Sequence, residues 1–442
     1  MTTMTPPDAA RALTRVLVPM AAGGAIIRRP RMMRLAERLD LDSRAVREMQ
    51  RLRARYGPGP VQVTPGRRVA LLLDPSDVHR VLNGSPEPFA PSSREKRGAL
   101  GHFQPGGVLV SSPEQRRHRR PYNEEVLQAG RPVHDHSEQM TAVIDEETAA
   151  LLGQVRFTGE LTWDAFAIAW WRIVRRIVLG DSARDDEQVT DDLQRLRKDA
   201  NWSYLKPRRT GRRQRFLAQV QHYMDRAEPG SLAALAASTP AHPQTEPHQQ
   251  LPQWLFAFDA GAWSTIRALA LTALPGVAEQ ARAERRRSPD LPFLRACVLE
   301  SLRLWPTTPM ILRDTTEETT WASGDLSAGA SVVIFAPYFH RDDQSVPEAH
   351  HFAPELWLRE RTDRDWPLVP FSGGPAMCPG RNVVLLVASM VLDRLLAAYD
   401  YRPVTGAVRP GRPLPGSLNP FGLRFAISRR SPDARGSGPP KD

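Results

Sequence analysis

The chain has 442 residues, of which 41% are hydrophobic and 25% charged, so it can bury a large core and is not disordered throughout. The formal net charge is +11, and arginine supplies nearly all of the 60 basic residues. The only lysines are Lys96, Lys198, Lys206 and Lys441. The arginines are scattered and no nucleic-acid-binding motif accompanies them, which argues against a nucleic-acid partner.

Two cysteines, Cys297 and Cys378, are too few for a disulfide framework and favour a reducing, cytoplasmic location. Without clustered histidines they also argue against structural zinc. The apolar run over 16–27 is interrupted by Pro19 and is too short to span a membrane, so we expect no transmembrane segment. It predicts a lead-in helix packed on the rest of the chain, with peripheral membrane contact as the alternative.

In chain order, helical patterns include 43–56, 161–179, 187–202, 254–274, 294–305 and 383–396. Strand-like runs, such as 69–73 and 331–335, are short and sparse. The run 254–274 is apolar nearly all round, which predicts a helix buried in the core. Stretches rich in Pro, Gly and Ser, 85–112 and 229–253, are interpreted as long connections. The pattern predicts a mostly α fold with small β-sheets.

A cysteine loop over 370–380 directly precedes the helical pattern of 383–396, which places Cys378 just before a helix. Unpaired backbone N–H groups and the positive end of the helix dipole gather there and stabilise an anion such as a thiolate. Gly374 and Gly380 permit tight turns and the close approach of backbone to a flat ligand. A metal-ligating thiolate is one interpretation, and a buried free cysteine after a turn is the other.

Phe371, Gly374, Cys378 and Gly380 match the pattern FxxGxxxCxG, and this segment resembles the signature of the cytochrome P450 family. The resemblance implies that the cofactor is haem b and that the Cys378 thiolate is the axial ligand of its iron. In the family the thiolate pushes electron density toward the iron and favours O–O cleavage.

The resemblance extends from the lead-in to a strand-like segment near Ala426. It implies a cytochrome P450-like single large domain, with the haem buried between two long helices. We therefore expect an N-terminal lead-in over 1–30, the catalytic domain over 31–430 and a flexible tail over 431–442.

Glu300 and Arg303 lie three residues apart in a helical pattern and can pair, which alone would indicate an ordinary solvated salt bridge. By resemblance they match the family's ExxR pair, which holds the cysteine side of the fold together. The family usually adds an arginine at a position where this chain has Leu356, so the third partner is missing. Arg359 and Arg361 are the candidates to replace it.

Haem propionates are carboxylates that need cationic partners when partly buried. By resemblance, Arg119 matches the arginine of an early-helix HxxxR-type motif, with Gln115 in the histidine's slot, and Arg313 matches another propionate arginine. In so arginine-rich a chain, a surface arginine is the rival interpretation of each. Ala376 stands where many relatives carry an arginine, so we expect one propionate contact to be lost.

The buried helix contains a stretch around Gly261 that resembles the family's Ala-Gly-x-acid-Thr-Thr motif. There, small residues make room for dioxygen while an acid and an alcohol relay protons. Trp263 replaces the acid and Ser264 the first threonine, which leaves the hydroxyls of Ser264 and Thr265 to organise a water. Asp259 lies about 200° around the helix from Gly261 and is not assigned the acid's role. Ordinary helix packing is the alternative interpretation.

The resemblance predicts a monooxygenase that hydroxylates, epoxidises or oxidatively couples a largely apolar small molecule, such as a natural product of secondary metabolism. Electrons would come from a separate ferredoxin- or flavodoxin-type donor with its reductase, because no flavin- or nicotinamide-binding glycine fingerprint follows a strand. The arginine run over 116–120 would help to dock such acidic partners, although a solvated helix face is equally consistent with it.

Two other functions stay open because the proton-relay motif is altered. One is a peroxide-dependent or otherwise atypical haem-thiolate enzyme, and the other is a haem-binding protein that does not turn over. A monomer is expected in each case.

Overall fold

Helices make up most of this computed structural model, which describes residues 1–63, 68–285, 288, 290–404, 406 and 408–429. The expectation of a mostly α fold with small β-sheets is confirmed. The tail expected over 431–442 lies outside the described residues. The boundary between lead-in and catalytic domain at residue 30 stays a prediction.

The helices are α1 (Pro6–Ala12), α2 (Val18–Gly23), α3 (Pro30–Leu39), α4 (Leu41–Tyr56), α5 (Pro75–Asn83), α6 (Arg94–Leu100), α7 (Pro113–Val126), α8 (Ser137–Thr158), α9 (Trp163–Leu179), α10 (Glu187–Ala200), α11 (Thr210–Arg226), α12 (Leu232–Ser238), α13 (Leu251–Thr272), α14 (Val277–Arg285), α15 (Pro292–Leu304), α16 (Ala336–Arg341) and α17 (Arg381–Ala398). The strands are β1 (Val61–Gln62), β2 (Val69–Leu71), β3 (Phe89–Ala90), β4 (Glu160–Thr162), β5 (Met310–Thr315), β6 (Thr319–Trp321), β7 (Gly324–Leu326), β8 (Ser331–Phe335), β9 (Tyr399–Pro403) and β10 (Arg424–Arg429).

The strands form small sheets at the edge of the helical core. The largest has the order β1-β2-β8-β5-β3, in which β2 runs parallel to β8 and the other pairs are antiparallel. An antiparallel sheet has the order β4-β10-β9, and β6 pairs with β7. Because successive side chains of a strand alternate between faces, β5 buries Arg313 and turns Asp314 toward the other face.

The main core forms where α13 packs against α9, α15 and α17, while α17 also packs against α8. Most side chains of α13 are buried, as its apolar sequence predicted. Helix α13 approaches its neighbours closely at Gly261, where a Cβ atom would lie 2.9 Å from Trp170 Cζ2 and 3.2 Å from Val384 Cγ1. Glycine at this position therefore allows three helices to meet.

The two stretches interpreted as long connections contain regular structure. The first includes β3 and α6, and the second includes α12 and the start of α13. Serine caps begin both short helices, since Ser93 Oγ accepts from Lys96 N at 3.3 Å and Ser231 Oγ accepts from Ala234 N at 3.0 Å. The two serine caps were not recognised from the sequence because Pro, Gly and Ser are frequent around them.

A buried carboxylate ties α8 to α9. Glu147 accepts hydrogen bonds from Arg176 Nη1 at 2.8 Å and from Arg184 Nε at 2.6 Å, and its side chain is only 1% exposed. Its neighbour Glu146 also pairs with Arg176, at 2.8 Å, but its side chain is 62% exposed. Two adjacent glutamates thus share one arginine in different solvent environments.

We expect Glu147→Gln to lower the free energy of unfolding by about 1.5–3 kcal/mol, because charge-assisted bonds to two arginines are lost in a buried site. Glu146→Gln is the matched control and should cost less than about 1 kcal/mol, since its pair is exposed to solvent. Urea unfolding of both variants measures the difference. If both variants lost the same free energy of unfolding, burial of Glu147 would not be the reason for its stabilising effect.

Candidate functional site

The cysteine loop is held by its own backbone. Cys378 N donates to Phe371 O at 3.0 Å, Met377 N donates to Gly374 O at 3.0 Å, and Arg381 N donates to Cys378 O at 3.3 Å. Helix α17 begins at Arg381, so Cys378 lies just before a helix, as the sequence predicted. These bonds present the sulfur from a fixed turn rather than from a free loop.

Gly374 fits this turn because of its backbone angle and its surroundings. Its φ is +62°, in the left-handed region that favours glycine, and a Cβ atom would lie 2.2 Å from Leu82 O. The loop therefore packs directly on the C-terminal end of α5. Phe371 is partly buried and packs against the main core beside the loop.

The surroundings of Cys378 act on its thiol in opposite directions. Burial raises the pKa of Cys378, while the N–H groups of Gly380 and Arg381 and the charges of Arg120 and Arg381 lower it. Arg120 is fixed beside the loop, because its Nη1 donates to Met377 O at 2.7 Å and its Nε contacts Glu124 at 2.6 Å. A thiolate at this position would accept hydrogen bonds from these backbone N–H groups. It would still need a cation or a metal to offset the energetic cost of burying its charge.

Arg313, on β5, contacts the cysteine loop and is 2% exposed. Its guanidinium donates to Ser85 Oγ at 2.9 Å and to Ser372 Oγ at 3.1 Å, and it forms no ion pair within the described residues. Burial and the charge of Arg116 lower the pKa of Arg313 to about 10. A buried guanidinium without a carboxylate partner, close to a buried thiol, fits a cofactor that brings both carboxylates and a metal.

Arg119 and Gln115 have partners of their own. Arg119 is buried, pairs with Glu246, and donates to Ser111 Oγ at 3.0 Å and to Gln244 O at 3.0 Å. Gln115 forms a capping box with Ser112 at the start of α7, where Ser112 N donates to Gln115 Oε1 at 3.1 Å. The structure thus brings Arg313 to the cysteine loop but engages Arg119 and Gln115 elsewhere.

Both candidate hydroxyls of α13 are buried and turn back on their own helix. Ser264 Oγ donates to Gly261 O at 3.0 Å, and Thr265 Oγ1 donates to the same oxygen at 2.7 Å. Two hydroxyls thus meet at one carbonyl on the face toward α9 and α17. Rotation of either hydroxyl about its C–O bond would turn its hydrogen toward a water or a ligand.

The opposite face of α13 carries Asp259 and Trp263, one turn apart. Asp259 pairs with the buried Arg197 of α10, whose guanidinium carbon lies 4.6 Å from the centroid of the Phe256 ring. Trp263 packs edge-on against Phe421, with ring centroids 6.0 Å apart, and its Nε1 has no hydrogen-bond partner within the described part of the chain. The carboxylate on this face is thus already neutralised by an arginine.

Glu300 and Arg303 form a fully buried pair, with Nε–Oε2 and Nη2–Oε1 distances of 2.8 and 2.6 Å. Glu300 also accepts from Ala353 N at 2.8 Å and from Trp357 Nε1 at 2.9 Å. Leu356, at the place of the missing arginine, is buried. The indole N–H of Trp357 therefore supplies the third donor, which sequence reasoning did not find.

Neither arginine considered for this role reaches Glu300. Arg359 pairs with Asp365 through two contacts of 2.7 Å, and Arg361 donates to the backbone oxygens of Asp365 and Leu368. A tryptophan next to an expected arginine position was the available signal, because an indole N–H can serve as a buried donor.

A cavity of about 670 Å³ lies beyond the C-terminal half of α13, and Arg267 and Arg341 are among the residues that line it. Its lining includes neither Cys378 nor Ser264 and Thr265, so its volume does not describe a substrate pocket next to the cysteine loop. Among the described residues, no helix combines the length and apolarity needed to cross a membrane.

Comparison with known proteins links this site to one family. The family model described as Cytochrome P450 matches residues 276–419, a region that contains Glu300, Arg303, Arg313 and Cys378. The crystal structure of a cytochrome P450 (CYP102L1) superimposes with a TM-score of 0.71 and covers 87% of this chain and 94% of that chain. At 18% identity, this likeness establishes a shared fold.

Sequence relatives match only a part of this chain. Probable cytochrome P450 4aa1 of Drosophila melanogaster is 34% identical over 119 residues, which are 26% of this chain and 23% of that protein. Cyclooctat-9-en-7-ol 5-monooxygenase of Streptomyces melanosporofaciens is 31% identical over 187 residues, 37% of this chain and 41% of that protein. The match thus spans less than half of the length of these relatives.

We expect Trp357→Phe to lower the free energy of unfolding by about 1–3 kcal/mol, because Glu300 loses a donor in a site closed to water. Arg359→Gln is the control and should cost less than about 1 kcal/mol, since the Arg359 side chain is 44% exposed and Asp365 keeps its bonds from Thr362. Denaturant unfolding followed by circular dichroism compares the two variants. A larger loss for Arg359→Gln would show that Trp357 is not the third partner.

Proposed function

Because this chain belongs to the cytochrome P450 family, we propose that it is a haem-thiolate monooxygenase with Cys378 as the axial ligand of the iron. The observation that carries the proposal is the fixed cysteine loop at the start of α17, bordered by an arginine that lacks a carboxylate partner. Haem b, when bound, supplies the activation of dioxygen and its insertion into the substrate.

The chain's own residues have distinct roles in this proposal. Gly374 and Gly380 allow the turn that presents Cys378, and Phe371 keeps water from the sulfur. Arg313 binds a propionate of the cofactor, while Glu300 and Arg303 fix the segment that leads to the cysteine loop. The resemblance also places Arg119 and Gln115 near the propionates. To bind them, Arg119 would have to break its ion pair with Glu246, and Gln115 its hydrogen bond with Ser112.

Proton delivery falls to the hydroxyls of α13. By resemblance Gly261 would leave room for dioxygen, although Trp170 and Val384 pack against it here, and Ser264 stands at the position of the family's proton-relaying alcohol. Ser264 and Thr265 each donate a hydrogen bond to the Gly261 carbonyl. Either hydroxyl could turn to donate to a water while its oxygen accepts a proton from a second water, so that no alkoxide is left. Trp263 carries no titratable proton, so a water must take the place of the missing acid.

The proposed substrate is a largely apolar small molecule, and a hydroxylated, epoxidised or coupled product follows from the family chemistry. Two aromatic pairs flank α13, Phe103 with Phe256 and Phe421 with Trp263. The Streptomyces relative is named for cyclooctat-9-en-7-ol. We further propose a monomer in the cytoplasm that receives electrons from a ferredoxin- or flavodoxin-type donor with its reductase.

The second candidate is a peroxide-dependent enzyme. It is favoured by the α13 motif, in which Trp263 replaces the acid and both hydroxyls bind one carbonyl. Compared with dioxygen, hydrogen peroxide already carries two additional protons and two additional electrons. An enzyme that uses it therefore needs a less complete proton relay and no electron donor.

We expect the reduced, carbon-monoxide-treated protein to show the strongly red-shifted absorption of thiolate-ligated haem, and Cys378→Ala to abolish it. Cys297→Ala is the matched control and should retain it, because Cys297 is buried inside α15. Absorption spectra of the three purified proteins decide the assignment. Retention of the band in Cys378→Ala would refute the proposed axial ligand.

A spectral screen first finds compounds that displace the iron-bound water. These compounds are then used as substrates to identify the oxidant. We expect product from such a compound with a ferredoxin, its reductase and NADPH. Product with hydrogen peroxide alone would instead establish the second candidate, and haem binding without product under either condition would indicate a non-catalytic haem protein. Chromatography of each reaction against an enzyme-free control measures the outcome.

A further inference from the structure

Arg116 is a buried arginine without a counter-ion. It is 8% exposed, and its guanidinium forms no ion pair or hydrogen bond within the described residues. Burial and the charge of Arg120 lower the pKa of Arg116 to about 10. Its neighbour Arg117 on α7 is exposed to solvent, so the two arginines differ in environment although they are adjacent in sequence. A buried, unpartnered guanidinium is costly unless an anion from outside the chain neutralises it.

Two more cations lie close to Arg116. Lys96 Nζ and Arg313 Nη1 both donate to Leu312 O at 3.0 Å, and burial, with the charge of Arg116, lowers the pKa of Arg313 and of Lys96. Lys96 is partly buried, and its Nζ donates to Pro91 O at 2.7 Å and to Leu312 O at 3.0 Å. Lys96, Arg116 and Arg313 thus form a cation triad contributed by α6, α7 and β5.

The nearby carboxylates are committed elsewhere. Asp314 accepts from Arg94 N at 2.8 Å and from Ser331 Oγ at 2.8 Å, on the face of β5 opposite to Arg313. Glu124 pairs with Arg120 at 2.6 Å. The charges of Asp314 and Glu124 act on Lys96 and Arg116 from a distance, but neither acid forms an ion pair with the triad within the described residues.

The cation triad borders the cysteine loop at two points. Arg313 Nη2 donates to Ser372 Oγ at 3.1 Å, within the loop. Arg120, which is close enough to Arg116 to lower its pKa, donates to Met377 O next to Cys378. An anion bound by the triad would therefore lie beside the cysteine loop.

We propose that Arg116, Arg313 and Lys96 together bind the two propionates of the cofactor, and that Arg116 does this in place of Arg119. This inference rests on the proposed haem-thiolate function. Arg119 is already neutralised by Glu246, so it contributes to the packing of α7 against the segment before α13. Lys96 offsets the cation lost at Ala376 in the cysteine loop.

The test compares two cofactors in the same variants: haem b and haem whose propionates are esterified. Arg116→Gln should speed the release of haem b to an excess of apomyoglobin by about tenfold or more, since a charge-assisted bond is lost. Release of the dimethyl ester should change little, because no carboxylate remains for Arg116 to bind. Lys96→Gln should likewise speed the release of haem b but not of the dimethyl ester. Arg116→Lys should release haem b more slowly than Arg116→Gln does.

Arg117→Gln is the matched control and should leave both release rates unchanged, because Arg117 is exposed. Equal acceleration of haem b and of its ester by Arg116→Gln would show a merely structural role and overturn the inference. An ester-sensitive effect in Arg119→Gln but not in Arg116→Gln would also overturn it. If the wild-type protein binds no haem, the proposed function itself fails, whereas a normal carbon monoxide spectrum with unaltered release refutes this inference alone.

Discussion

A buried carboxylate–guanidinium pair fixes the cysteine side of this fold. Glu300 and Arg303 lie on one turn of α15, and neither side chain is exposed to water. Arg303 donates to the backbone oxygens of His340, Glu348 and His351, at distances of 3.0, 3.0 and 2.7 Å. One ion pair therefore supplies the hydrogen bonds of an irregular segment that has little secondary structure of its own.

This restraint reaches the cysteine loop through His340. Val369 N, just before the loop, donates to His340 Nε2 at 2.9 Å. Burial and the charge of Arg303 lower the pKa of His340 to about 3, so the ring is neutral near pH 7 and its Nε2 can accept. The ExxR pair thus positions Cys378 indirectly, through carbonyls, a neutral imidazole and one backbone N–H.

Several buried arginines act as donors to backbone carbonyls, so the net charge of +11 does not lie on the surface alone. Arg341 is 3% exposed and donates to carbonyl groups that include those of Ala349 and Leu414, and Arg267 donates to Leu418 O and Trp305 O. A planar guanidinium with five N–H groups can satisfy several carbonyls at once. A minority of the positive charge, nine buried arginines among the described residues, is therefore internal.

The sequence allowed the helices, the small sheets and the position of the cysteine loop to be predicted, because those features depend on local periodicity, turn glycines and a specific signature. It did not reveal which groups meet across the fold. Arg119 and Glu246 are far apart in the chain, and so are Glu300 and Trp357, and no local pattern distinguishes the buried Arg116 from the exposed Arg117. Burial and pairing of long polar side chains depend on tertiary packing.

Helix α13 follows the same rule, that a buried charge must be paired, and this limits the chemistry of its side chains. Asp259 is the carboxylate nearest to Trp263 on its face of α13, yet it is bound to the buried Arg197. To protonate or release Asp259 would leave that guanidinium unneutralised in a site that excludes water, which is energetically costly. A proton pathway through Asp259 is therefore disfavoured, and the neutral hydroxyls of Ser264 and Thr265, which change no charge when they rotate, are the groups on α13 best suited to pass protons.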